Sequence, residues 1–93
     1  MLKTRPLERI VKGVANHRRI GILEKLNGHP GMTVGELSEA FGIDIRTCSV
    51  HLKKMTDAGV IIKRSAGREV QHELTPLGGK LLTFLKSINP HKR

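Results

Sequence analysis

Between Ile45 and Asp57 the chain sets Arg46, Ser49, Val50, Lys53 and Lys54 on one side of a helical wheel. Cys48, Leu52 and Met55, at i, i+4 and i+7, occupy the other. A guanidinium can bond bidentately to a guanine edge, a hydroxyl can serve either groove partner, and a valine suits a thymine methyl. The two lysines bring point charge, which holds phosphate without reading sequence. A helix that buries one side and offers such groups on the other fits the major groove of double-stranded DNA. Ile45, at its start, suits a second thymine methyl, and Thr47 suits a capping or phosphate contact. A solvated arginine at a helix start would account equally for Arg46 alone, so the face as a whole carries the inference.

A second cationic group, Lys63, Arg64 and Arg68, falls on a predicted hairpin. As a wing it would reach an adjacent minor groove, where a narrow A·T-rich groove attracts arginine. Charge that protects an edge strand from pairing explains the same residues without DNA.

The elements that must position these groups are readable locally. Thr33 and Glu36 form a T-x-x-E capping box, and Thr33 at this helix start is a candidate phosphate contact. Val34, Leu37 and Phe41 follow at helical spacing, Gly42 supplies a turn, and Asp44 can cap the next helix. A helix-turn-helix over about 33–58 results, ending at Gly59. Strand propensity at Val60–Arg64 and alternation at Glu69–Thr75 predict a wing over about 60–75. Ser65–Arg68 forms its connection, and Val70, His72 and Leu74 share one face.

Upstream, Leu7, Ile10, Val11 and Val14 recur at helical spacing behind Pro6, with Gly13 weakening the helix end. A second helix is expected from Asn16 as cap to about Leu26, with Ile20, Leu23 and Leu26 inward. Asn27–Gly31 is a breaker cluster and reads as a loop. Thr75-Pro76 opens a last helix over about 76–88, with Leu77, Leu81, Phe84, Leu85 and Ile88 on one side, and His91–Arg93 as a frayed tail. Gly78-Gly79 inside it fits either close approach to another helix or a fraying start. The expected fold class is mainly α with a small β-hairpin, in one domain over 1–93.

Composition narrows the partners. The chain has 93 residues, 17 Lys+Arg against 8 Asp+Glu, and a net charge of +9. That sign and size favour polyanions, with nucleic acid first and anionic membrane second. No stretch approaches the roughly 18 apolar residues of a membrane span, no leader pattern opens the chain, and a cytoplasmic location is expected. One cysteine excludes an internal disulfide, and Cys48 on the apolar stripe reads as a small hydrophobe. The five histidines show no metal-ligand spacing, so neither metal nor cofactor is expected. No nucleophile–base pair, paired carboxylates or phosphate loop suggests an enzyme. A regulator that reads duplex DNA is the leading function class. The alternative is a module for protein or RNA assembly, although single-strand binders stack bases on aromatics and this chain has two Phe, no Trp and no Tyr.

The strings N-H-R-R-I-G-I-L-E-K-L (16–26), T-V-G-E-L-S-E-A-F-G-I (33–43), T-C-S-V-H-L-K-K-M-T-D-A-G-V-I (47–61) and G-R-E-V-Q-H-E-L-T (67–75) resemble the arsenical-repressor (ArsR) and multiple-antibiotic-resistance-repressor (MarR) type winged-helix regulators. T-P-L-G-G-K-L-L (75–82) is more similar to the MarR-type start of the last helix. The resemblance implies a winged helix-turn-helix and places Arg46 and Ser49 on the recognition helix. It also shows departures. Thr33 and Gly35 stand where metal-sensing members carry a C-x-C pair, and Gly78–Ile88 lacks the Asp and His ligands of other members. Gln71 and His72 replace an aromatic pair. These departures remove the known ligand sets and leave the small-molecule effector unknown.

A homodimer is expected, because a domain this small offers little core to cover the apolar flanking helices. Leu7, Ile10, Val14, Leu77, Leu81, Leu82, Leu85 and Ile88 are the candidate interface. A twofold pair would set the recognition helices about one DNA turn, roughly 34 Å, apart.

Overall fold

The computed structural model describes residues 1–90. The elements are α1 (Thr4–Val14), α2 (His17–Gly28), α3 (Val34–Phe41), α4 (Ile45–Asp57), β1 (Ile61–Ala66), β2 (Glu69–Leu74) and α5 (Pro76–Ser87). This is the expected class: helices with one two-stranded antiparallel hairpin.

Short-range capping sets most of the boundaries. The Asn16 side chain accepts hydrogen bonds from the N–H groups of Arg18 (2.8 Å) and Arg19 (3.3 Å), starting α2 after a break from α1. Both arms of the Thr33–Glu36 capping box form, with the Thr33 N–H donating to Glu36 Oε1 (2.9 Å) and the Glu36 N–H to Thr33 Oγ1 (3.1 Å). Gly42 ends α3 in the left-handed region at φ 62°. Asp44 then accepts from the Arg46 and Thr47 N–H groups and starts α4. Thr75 accepts from the Gly78 N–H, while its own hydroxyl donates to the Gly59 carbonyl (2.6 Å), so α5 is anchored to the end of α4.

The core gathers Ile22, Leu23 and Leu26 of α2, Leu37 of α3, Cys48, Leu52 and Met55 of α4, and Val60 and Ile61. The hairpin pairs Ile61 with Leu74, Lys63 with His72 and Ser65 with Val70. One of its faces therefore carries Ile61, Lys63, Ser65, Val70, His72 and Leu74, and the other Ile62, Arg64, Ala66, Glu69, Gln71 and Glu73. His72 is buried and fastens the wing to the helix-turn-helix. Its backbone N–H (2.9 Å) and its ring Nδ1–H (2.9 Å) both donate to the Met32 carbonyl. The Gly31 N–H in turn donates to the His72 carbonyl (2.8 Å).

Several expectations are corrected. Ser65 and Ala66 belong to β1, so the hairpin connection is only Gly67-Arg68. Ile20 faces outward at 37% exposure, and Ile22 takes the inward place on α2. Val70 lies on the same face as His72 and Leu74 yet is exposed, because the hairpin tip extends past the helices. Gly78 does meet a close neighbour, but not a helix: a Cβ there would collide with the Val60 carbonyl oxygen. Val14 (6% exposed) and Leu82 (5%) lie in the chain's own core, which removes both from the expected dimer interface. The predicted tail lies outside the described residues.

Candidate nucleic-acid interface

α4 divides as its periodicity predicts. Cys48, His51, Leu52 and Met55 are buried, while Arg46, Ser49, Lys53 and Lys54 are exposed. Two apolar side chains share that open face, Ile45 at 49% and Val50 at 53% exposure. Thr47 is half-buried beside the Asp44 cap. Thr33 is also half-buried, its hydroxyl oxygen occupied by the capping box. Burial pushes the Cys48 thiol pKa up, as expected of a packing residue in apolar surroundings.

The wing stands beside this face and forms a groove with it. Ser49, Lys53, Thr56 and Asp57 line the α4 side, and Lys63, Val70 and His72 line the wing side. Lys53 and Lys63 thus reach one groove from two elements. Arg68 is exposed at the hairpin tip. Arg64 points to the other face of the wing, where Nε lies 3.0 Å from Glu73 Oε2. The three wing cations are therefore not equivalent: one faces the groove, one sits at the tip, and one is held by a carboxylate.

Two features of α4 escaped sequence reasoning. Asp57 is the single acid on its open face, with Oδ2 3.2 Å from Lys53 Nζ, and the i, i+4 spacing was the available signal. The other is a buried polar contact beneath the helix. Arg19 reaches from α2 with Nη1 3.1 Å from His51 Nδ1, and Nη2 donates to the Lys12 carbonyl (3.2 Å). A guanidinium has only donors, so His51 Nδ1 accepts and the ring is neutral, with its proton on Nε2. Burial first, then the charges of Arg19, Arg18, His17 and Lys54, hold the His51 pKa below its ordinary value. Arg19 Nε is buried with no hydrogen-bond partner among the described residues. A signal existed here too, since Arg19 falls three residues before Ile22 on the inward stripe of α2.

The candidate dimer residues separate in the same way. Leu7 and Ile88 are exposed, and Ile10, Leu77, Leu81 and Leu85 are half-buried. Phe84 (55%) and Val11 add to the open apolar surface on α5 and α1, the two helices that flank α2.

Paired helices joined by a glycine turn, a second helix with an open polar face, and a hairpin beside it define a winged helix-turn-helix. The chain belongs to the helix-turn-helix domain family, whose model matches residues 14–64. It is 29% identical over 65 residues to the HTH-type transcriptional regulator YgaV of Escherichia coli strain K12. That alignment covers 70% of this chain and 66% of the relative, so the chain spans just under two-thirds of its length. Among solved structures, HlyU from Vibrio cholerae N16961 superposes with a TM-score of 0.82 at 25% identity, covering 96% of this chain and 98% of HlyU. The homodimeric winged helix-turn-helix DNA-binding domain of Mb0332 from Mycobacterium bovis, described as a possible ArsR-family regulator, superposes at 0.81 with 21% identity, covering 94% and 88%. The fold is that of the ArsR- and MarR-type regulators which the sequence resembles.

Proposed function

We propose that the protein is a sequence-specific, double-stranded-DNA-binding transcriptional regulator that works as a homodimer in the cytoplasm. One observation carries this reading: α4 commits its inner face to the core and presents Arg46, Ser49, Val50 and Lys53 outward, next to a basic wing. Arg46 and Ser49 read base edges in the major groove, with Ile45 and Val50 meeting thymine methyls. Lys53, Lys54 and Lys63 hold phosphates, as do Thr33 and Thr47 at their helix starts. Arg68 at the wing tip enters the flanking minor groove, and Arg64 supports it from the wing's far face. The net charge of +9 supplies the long-range attraction. The regulators among the relatives support the same class. Leu7, Ile10, Leu77, Leu81, Leu85 and Ile88, joined by Phe84 and Val11, form the twofold contact. No helix among the described residues is long and apolar enough to cross a membrane.

Binding assays against random duplexes, with duplex and single-stranded competitors, test this reading. Arg68→Ala and Lys63→Ala should weaken all duplexes alike, each flattening the log K versus log[salt] slope by roughly one unit per lost phosphate contact, or about two for a bound dimer. Arg46→Ala should in addition compress the ranking among selected sequences. An unchanged ranking would remove Arg46 from the reading face, and better competition by single strands would overturn duplex binding.

A further inference from the structure

The sequence of α1 has a cationic side that the wing and recognition helix do not use. Arg5, Arg9 and Lys12 recur at i, i+4 and i+7 and are all exposed, opposite the side that carries Leu7, Ile10 and Val14. Where α1 crosses α4, Gly13 lies so close to Ala58 that a Cβ at Gly13 would overlap that of Ala58. The crossing draws Arg9 and Lys12 into one shallow groove with Lys54 and Asp57 of α4. Arg5, Glu8, Arg9 and Lys12 line the next groove along.

Ion pairing leaves this ridge strongly positive. Glu8 lies 3.2 Å from Lys12, and Asp57 is 3.2 Å from Lys53. Arg5 and Arg9 have no carboxylate within ion-pair distance among the described residues. Two unpaired guanidiniums on one helix face, continuous with the open side of a recognition helix, present donors suited to phosphate oxygens and carry no groove-reading geometry. An amphipathic basic helix also suits an anionic membrane, but here Val14 is buried in the core and Ile10 is half-buried against it, so only Leu7 and Val11 of α1 stand exposed, a narrow apolar surface to insert.

We propose that α1 is a second DNA-backbone contact: Arg5 and Arg9 hold duplex phosphates beyond the end of α4, with Lys54 bridging the two surfaces. This rests on the duplex-binding reading and extends its footprint past the helix-turn-helix and wing. Glu8 limits the contact by holding Lys12.

The test is the salt dependence of binding to a fluorescent random-sequence duplex of about 40 base pairs, long enough to cover the flanks of either half-site. Arg5→Gln/Arg9→Gln keeps helix propensity and removes only exposed, unpaired charge. It should flatten the log K versus log[salt] slope by about 1.8 per protomer, hence about 3.6 for a bound dimer, so that a fourfold rise in salt weakens the variant dimer on the order of 100-fold less than the wild type. Glu8→Gln, which releases Lys12, should steepen the slope. Lys80→Gln/Lys86→Gln on α5 removes the same net charge elsewhere and should leave the slope as it is. The proposal is overturned if the α1 and α5 double variants flatten the slope equally, since net charge alone would then explain the effect. It also fails if wild type binds the duplex and the α1 variant keeps the wild-type slope. Binding of wild type to anionic phospholipid vesicles, lost in the α1 variant while its duplex slope is unchanged, would assign the ridge to membrane. A wild type that binds no duplex overturns the functional reading itself, and this proposal with it.

Discussion

Replacing His51 by Asn should remove an acid-sensitive step from the folding equilibrium while keeping α4 docked on α2. His51 is only 8% exposed, and its Nδ1 accepts from Arg19 at 3.1 Å. Asn Oδ1 sits at nearly the position of histidine Nδ1 and accepts at every pH. In the wild type, protonation destroys the acceptor and sets an imidazolium against Arg19, with Arg18, His17 and Lys54 adding positive charge nearby. Burial and these cations hold the folded-state pKa below the ordinary 6.5. The unfolded chain therefore takes up this proton first as pH falls. The contribution of neutral His51 is complete above about pH 6.5 and declines progressively below it.

The size of the contact follows from what is lost with it. Deleting the acceptor, as in His51→Ala, forfeits a hydrogen bond to a charged donor and leaves that donor buried, costing about 2 kcal/mol. In a domain of this size that is a fall in Tm of roughly 8–16 °C. Urea unfolding at about pH 7.5 and about pH 5.5, at one protein concentration so that dimerisation is held constant, separates the variants. The wild type should lose stability at the lower pH, and His51→Asn should lose distinctly less. Equal losses in the two proteins would refute the assignment of Nδ1 as the acceptor and of His51 as the titrating group.

Other outcomes follow from the same geometry. Asp57→Asn releases Lys53 into the groove and, because an exposed pair is worth at most about 1 kcal/mol, should tighten duplex binding by roughly two- to fivefold; weaker binding in a titration would show instead that Asp57 itself contacts DNA. Phe84→Glu or Ile88→Glu, both on the open surface of α5, should give folded monomers in sedimentation, with duplex binding much reduced as two half-site contacts become one; a dimer in both variants would place the twofold elsewhere. Cys48→Ser should be less stable than Cys48→Ala by about 1 kcal/mol in denaturant unfolding, since a hydroxyl in this fully buried site must give up water for a bond back to the Asp44 carbonyl one turn earlier; equal stability would contradict the packing seen around it.

What the sequence made legible is what short spacing controls. Asn16, Thr33, Asp44 and Thr75 cap their helices through bonds to residues two or three positions on, so the caps were visible without any tertiary contact. The two faces of α4 were likewise set by period. Illegible were choices made by distant partners. His72 looked like a lost aromatic until Met32, 40 positions away, was found bonded to it. By residue type nothing sets Arg19 apart from the other cations, and it is His51, 32 positions away, that holds it in the interior. On α5, leucines occur around the helix, and only the position of α2 and β2 decides that Leu82 turns inward while Phe84 and Ile88 stay outside.

The cations make the same point in a form that bears on function. Residue type does not distinguish Arg64 from Arg68, or Lys12 from Arg9, yet the fold gives Arg64 to Glu73 and Lys12 to Glu8. Among the cations of α1, the open face of α4 and the wing, Arg5, Arg9, Arg46, Lys54, Lys63 and Arg68 keep no carboxylate partner among the described residues. A charge already paired gives up an ion pair when it meets phosphate, whereas an unpaired one gives up only water and counterions. Affinity for a polyanion should therefore track these six positions rather than the net charge of +9, and α1 supplies two of them. A helix read from sequence as apolar packing for a partner thus has a second side, and the surface proposed to face DNA runs from the wing tip across α4 and onto it.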